Sequence, residues 1–307
     1  MNPLLKSILS TSFLFSIIRV TTPIIFPALG VAITSLSGSI NIALEGIMLV
    51  AAFVGVVVSA FTNSLILALF FGVLAGVGIA ALLGYFHLKL KANIILAAIA
   101  LNLFASGITV FLLYIFAHEK GVSSSLRSLV FPNVQVPILK EIPILKSILN
   151  GQNVLVYVSF LAVIIYYIII YHTPLGLRIR AVGQNPDAAS SVGINVTRIR
   201  MYVLLLSGLF GAFGGLYLSM GYVSWFGRDM TAGRGFIAIA ASSIGGNLPL
   251  GTFLGSLLFG VVYALANFLA PINIPSEIVQ VIPYIVTVVV LTLYSAQTSK
   301  KKEVGEE

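Results

Sequence analysis

Uncharged apolar stretches recur along this chain at lengths that only a lipid bilayer accommodates. Residues 20–44, 46–86, 92–117, 147–171, 201–227, 235–276 and 278–299 contain no Asp, Glu, Lys or Arg. A helix needs about 20 apolar residues to cross the hydrocarbon core, so several of these runs hold more than one crossing. Charged residues make up 8% of the 307-residue chain, against roughly 25% in ordinary soluble domains. With 17 Lys and Arg and 9 Asp and Glu, the surface of a soluble globule of this size could not be covered. That excludes a soluble enzyme, a disordered protein and a nucleic-acid-binding domain. The net charge of +8 therefore speaks to membrane orientation rather than to nucleic acid. The chain has no Cys, which removes disulfides, thiol catalysis and Cys-based metal sites. Its three His (His87, His118, His172) form no i,i+4 pair, so no helical metal site is expected.

Asn63-Ser64 divides one long run, and Gly245-Gly246-Asn247-Leu248-Pro249 divides another, because Gly and Pro together interrupt regular structure. The expected crossings are 22–36, 44–62, 65–87, 93–117, 152–171, 200–221, 232–246, 250–270 and 277–296. A tenth at 4–20 would be short and ends in Arg19, so it either crosses or lies in the interface. The expectation is an all-α polytopic membrane protein of about 8–10 transmembrane helices, one domain over residues 1–307. Basic residues of short loops mark the cytoplasmic side. Lys89 and Lys91, then Arg178, Arg180, Arg198 and Arg200, then Lys300, Lys301 and Lys302 serve as anchors. Alternation through them is consistent. It places the C-terminus in the cytoplasm and residues 118–151 outside, with a short surface helix expected after Pro143. Residues 4–20 make a poor signal peptide, since no small-residue cleavage site follows.

Small residues let membrane helices approach closely. Gly72, Gly76, Ala80 and Gly84 recur every four residues. Gly208, Gly211 and Gly215 share a face, and Gly251 and Gly255 form a further pair. Packing is the ordinary role of such spacing; faces that slide during gating are the other.

Residues 173–200 are too long for a plain connector. Within them Asn185 suits an N-cap, Pro186 the first helical position and Asp187 the positive end of the helix dipole. Ala188 and its successors continue the turn, and Gly193 can end it in the left-handed conformation. Two helical turns are not stable alone, so this segment either rests on its own protein or docks a soluble partner. Flanking Arg178, Arg180, Arg198 and Arg200 are expected to hold its ends near lipid headgroups. The chain has no GxxxxGK[ST] phosphate loop. If transport is ATP-driven, the energy must enter through contact with another chain.

The stretch Leu36-Ser37-Gly38-Ser39-Ile40-Asn41-Ile42-Ala43-Leu44-Glu45-Gly46 resembles the SGxxNIxxEG segment of a bacterial ABC-importer permease family. That family serves ribose, branched-chain amino acids and nucleosides. Arg180-Ala181-Val182-Gly183-Gln184-Asn185-Pro186-Asp187-Ala188-Ala189 with Gly193-Ile194 resembles its RAVGxNPxAAxxxGI cytoplasmic loop, and Thr231 to Ala240 is also similar. Together the similarity covers roughly 19–295, and the forms INIALEGIML and GRGFIAIAA are most like the shorter permease of nucleoside importers. Relatives often carry charged residues before Gly38, where this chain has none. The resemblance implies the ABC-importer permease fold and a second permease subunit in a heterodimer. It also implies a cytoplasmic ATPase carrying the ATP and Mg, a lipid-anchored solute-binding protein outside, and no cofactor in this chain. It makes 183–193 a coupling helix, with Arg180, Gly183, Asn185, Pro186, Asp187, Ala188 and Gly193 as its residues.

Charges at membrane depth are costly and mark function by default. Glu45 is the only acidic residue before position 118, and Arg234 lies between Gly233 and Gly235. Both are expected to face the bundle interior, as a pair or as two gate elements, unless each is solvated at headgroup level. The predicted orientation sets Glu45 near the inner face and Arg234 nearer the outer. Asn41, Asn102, Asn247 and Asn267 either tie helices together or line a path for an uncharged polar solute.

The reading is a permease subunit of an ATP-driven importer in a bacterial cell membrane, for nucleosides, working by alternating access and doing no chemistry. Riboflavin, a pentose or an amino acid is the alternative cargo. An ion-coupled secondary transporter is the rival of another class, and it would need ion ligands at the midplane. An intramembrane enzyme ranks last: the chain shows neither HExxH nor GxSxG.

Overall fold

The computed structural model describes residues 10–135 and 147–269, with positions 285, 288, 289 and 292 beyond them. Among the described residues seven helices are long and apolar enough to cross a membrane, and an eighth is shorter. In chain order the described α-helices are α1 (Thr11–Leu36), α2 (Leu44–Thr62), α3 (Leu65–Gly84), α4 (Ile94–Ala117), α5 (Val154–His172), α6 (Pro174–Gln184), α7 (Pro186–Ser191), α8 (Val196–Leu216), α9 (Arg234–Ile244) and α10 (Pro249–Leu269). Helices α6 and α7 are surface helices. A π-helical turn ends α3 at Tyr85–Lys89 and another ends α8 at Tyr217–Tyr222.

The first helix corrects the expected start. Ser10 caps it through a bond from the Phe13 amide, and it runs unbroken past Arg19 to Leu36. Residues 11–20 are therefore the first part of one crossing and not a separate one. Two prolines sit inside α1. Pro23 has no N–H, which leaves the Arg19 carbonyl without its helical partner; the Tyr217 hydroxyl donates to that carbonyl at 2.9 Å. Lipid tolerates a proline in a spanning helix only when a neighbour re-satisfies the freed group.

Small-residue spacing sets the packing. Along α3 a Cβ on Gly72 would strike Leu216, one on Gly76 would strike Ala212, and one on Gly84 would strike Met201, while Gly208 faces Ala80. All four positions of that stripe thus lie antiparallel on α8. Gly211 and Gly215 of α8 turn to the other side, toward Ile47 and Met48 of α2. Gly251 and Gly255 of α10 seat on the backbone of Gly245 and Ala241 beside α9. Helix α1 lies at the centre, against α5, α8, α9 and α10. The outer faces of α3, α4 and α5 carry exposed Ile66, Phe70, Leu103 and Ile164, as lipid contact requires.

Two ends result. The basic end holds Lys89, Lys91, Arg178, Arg180, Arg198 and Arg200. At the far end residues 121–131 run beside 220–228: Ser123 N–H donates to the Phe226 carbonyl at 2.8 Å and Phe131 N–H to the Met220 carbonyl at 2.9 Å. The surface helix expected after Pro143 and the crossing at 277–296 fall largely outside the described residues.

The expected crossing at 232–246 is a further correction. Helix α9 has 11 residues, about 16 Å at 1.5 Å per residue, half the hydrocarbon thickness. The other half of that crossing is irregular chain, residues 223–233. Alternation of the ends survives because the two halves together pass from the far end toward the basic end. The sequence expectation failed because only helix length was weighed, and Gly233 gives no sign that the helix begins deep.

Candidate functional site

Two places carry the residues singled out by sequence. The first is the short helix at the basic end. The Asn185 side chain accepts from the Asp187 and Ala188 amides, each at 3.0 Å, and Pro186 stands in the first turn. Helix α7 ends at Ser191, Gly193 takes φ +85°, and the Gly193 and Ile194 amides bond back to Ser190 and Ala189. Ala189 is buried, while Asp187, Ala188 and Gly193 are exposed and Val192 is 76% exposed. A groove of about 270 Å³ runs between α6 and α7, lined by Ala181, Gln184, Asn185, Ala188 and Val192.

Sequence reasoning missed α6. Thr173 caps it through Gly176 and Pro174 begins it, the same cap-then-proline signal as Asn185-Pro186, so it was legible. Helix α6 fixes α7 against the bundle. A Cβ on Gly183 would run into the Leu36 carbonyl, so glycine there lets α6 lie directly on the end of α1. The expected lipid anchoring fails for two of the four arginines. Arg200 Nε donates to the Ser37 carbonyl at 3.3 Å. Arg180 lies 5.4 Å over the Tyr171 ring, with its Nε buried.

The second place is deep in the bundle, where the chain breaks between α1 and α2. Residues 37–43 are non-helical, and their polar backbone is satisfied by side chains. Asn41 is fully buried. Its oxygen accepts from the Ala43 amide at 2.9 Å and its nitrogen donates to Ser207 Oγ at 3.0 Å. Asn102 of α4 accepts from the Gly46 amide at 2.8 Å and donates to the Ile42 carbonyl at 3.0 Å. Both amides thus tie helices together, as buried amides in membranes commonly do.

Glu45 closes this junction. Its two carboxylate oxygens accept from the amides of Gly233 and Gly235, each at 2.7 Å. A carboxylate therefore sits on the N-terminus of half-helix α9, where the helix dipole is positive. Glu45 and Arg234 lie at one depth, which corrects the expectation that they occupy opposite faces. They are not an ion pair. The Arg234 guanidinium turns to the Met230 and Thr231 carbonyls, at 3.3 and 3.1 Å, and lies 5.0 Å from the Tyr263 ring centre. Asn267 is exposed near the far end of α10, beside Phe268, which meets Phe13. The structure does not bring it to the other candidates. Asn247 accepts from Tyr166 through its carbonyl and from Ser242 through its side chain.

The irregular segment ahead of α9 carries two charges that sequence reasoning left out. Arg228 and Asp229 form an ion pair at 3.3 Å and are 64% and 54% exposed. Asp229 also accepts from Ser106 Oγ at 2.7 Å. Ser106 lies near the middle of the 24-residue α4, one turn from Asn102. That contact sets the Asp229 carboxylate beside the middle of α4 rather than at its end. In sequence these residues look like ordinary loop charges, because nothing local says that the loop re-enters. The segment is strained: Asp229 and Ala232 take φ +51° and +45°, a region costly for a residue with a Cβ. Among the described residues no cluster of His, Asp and Glu is placed to hold a metal ion.

Comparison with known proteins adds the following. The family described as branched-chain amino acid transport system / permease component matches residues 13–291. The nucleoside ABC transporter permease NupC of Lactococcus lactis subsp. cremoris (strain MG1363) is 34% identical, over 93% of this chain and 92% of its own. The guanosine ABC transporter permease NupQ of Bacillus subtilis (strain 168) is 32% identical, over 92% of each. Among solved structures, an ABC transporter in an inward-facing conformation superposes with a TM-score of 0.51 at 18% identity. The superposition covers 89% of this chain and 84% of that one. At that identity the likeness speaks to fold alone.

Proposed function

The chain belongs to the branched-chain amino acid transport system / permease component family, and from that premise we propose that it carries nucleosides inward by alternating access, driven by a separate ATPase. It is an ABC-importer permease subunit, a membrane-embedded transport component. The observation that carries the cargo is the near-full-length similarity to two permeases named for nucleosides and guanosine. A nucleoside needs a path with hydrogen-bonding groups and no net charge, and the exposed Arg228–Asp229 ion pair beside Ser106 suits it.

The basic end faces the cytoplasm in this reading, with the C-terminus on the same side and 118–151 outside. Helix α7 is the coupling helix: it projects exposed residues, and α6 transmits its displacement to α1 through Gly183 and Leu36. The assembly further comprises a second permease in a heterodimer, the ATPase holding ATP and Mg, and an extracytoplasmic solute-binding lipoprotein. This chain holds no cofactor. An ATPase that binds one packing of the helices better than the other shifts the equilibrium between them.

Nucleoside uptake by cells carrying the full importer tests the reading. Uptake is expected to vanish when the ATPase is inactivated and to resist ionophores. Uptake that survives ATPase loss and collapses with an ionophore would favour an ion-coupled transporter. Riboflavin, pentose or amino-acid uptake with no nucleoside uptake would replace the cargo.

A further inference from the structure

Arg228 and Asp229 pose a physical problem in an isolated chain. Charged side chains at the bilayer centre cost several kcal/mol unless they face water or other protein. Ser106 holds the Asp229 carboxylate halfway along a spanning helix, yet both members of the ion pair are more than half exposed. Lipid is therefore excluded from this face. The pair also sits on a backbone bent into two left-handed residues, Asp229 and Ala232. Strain of that kind persists where surrounding contacts over-determine it. Here those contacts are the Arg228 amide on the Gly121 carbonyl at 2.7 Å and the Glu45 carboxylate on Gly233.

From these observations we propose that Asp229 is a cargo-contacting residue of the path, taking vicinal hydroxyls of a neutral solute, with Ser106 and Arg228 as positioning residues. Among the described residues each Asp229 oxygen has one partner, Ser106 Oγ on Oδ1 and Arg228 Nε on Oδ2. A carboxylate offers about four acceptor positions, so each oxygen can take one further donor from a vicinal diol. Arg228 compensates the charge, so the patch attracts no ion strongly. The solute class is a ribose-bearing or similar polyhydroxylated molecule, which deepens the nucleoside reading and rests on it.

The test compares uptake of a ribonucleoside and of its 2′,3′-dideoxy analogue through the complete importer, with wild-type chain and with Asp229→Asn. Both chains use the same solute-binding protein, so its own preference cancels in the comparison. The variant is expected to lose about tenfold in ribonucleoside uptake, the worth of charge-assisted hydrogen bonds, and to change dideoxynucleoside uptake less than about twofold. Ser106→Ala removes only a positioning hydroxyl at a partly exposed place. It is expected to shift the same ratio in the same direction by a smaller factor, and it keeps the test valid if Asp229→Asn does not fold. Equal loss for both solutes, or an unchanged ratio in both variants, would overturn the assignment of Asp229 and leave the nucleoside reading standing. A wild-type importer that moves neither solute would overturn the cargo reading and this inference with it.

Discussion

The short helix α7 at the basic end and the re-entrant segment are built on opposite principles. Residues 185–193 are a local structure: Asn185 caps, Pro186 starts, Gly193 stops, and all three partners lie within a few residues. Residues 223–244 are held from a distance, with Glu45 binding amides 188 and 190 positions away and Ser106 binding Asp229 across 123. A part that must meet another protein can be self-contained and exposed. A part set among spanning helices cannot leave backbone groups unpaired there, so its caps come from other helices. Changes in the first region are expected to alter coupling and leave the bundle intact. Changes in the second are expected to alter both.

The largest expected effect sharpens that contrast. In Gly235→Val the added carbons meet the backbone and carboxylate of Glu45. Overpacking of this kind costs about 3 kcal/mol, and the yield of monodisperse, inserted complex should fall steeply. Next, Glu45→Gln keeps one acceptor oxygen of two and should cost about 2 kcal/mol. Thermal melting of the purified complex should drop by several degrees, together with uptake. Smaller is Asn185→Ala, which removes a cap worth about 1 kcal/mol. The melting temperature should hold while ATPase co-purification and uptake decline; a destabilised bundle would break the comparison. The smallest is Asn267→Ala, exposed at the far end of α10. It should stay within about 0.5 kcal/mol and leave uptake unchanged, and strong loss of transport would bring that residue back to the path.

How much was legible follows from the same contrast. Helix α7 could be read because its signals are short-range residue choices, and the neighbouring α6 could have been read from Thr173-Pro174. The glycine stripe on α3 declared a packing face but not its partner, since spacing says nothing about which helix lies opposite. Glu45 and Arg234 stood out as charges in apolar surroundings. Their relation did not, because depth was inferred from counting crossings and α9 supplies only half of one. Arg228 and Asp229 were passed over for the same reason: a charge looks solvated when its loop is assumed to lie outside.

The central claim is that Ser106, Asp229 and the start of α9 border a water-filled path whose state is set from the α7 end. Because the chain has no cysteine of its own, Ser106→Cys gives a single thiol near the middle of α4, and Phe104→Cys, exposed about 160° round the helix from Ser106, marks its lipid side. Labelling both with a membrane-impermeant thiol reagent in the assembled importer, with and without ATP trapped on the ATPase, is the direct measurement. The account predicts that position 106 reacts, that its rate changes with the nucleotide state, and that position 104 stays inert. Equal inertness at both positions in every state would contradict it.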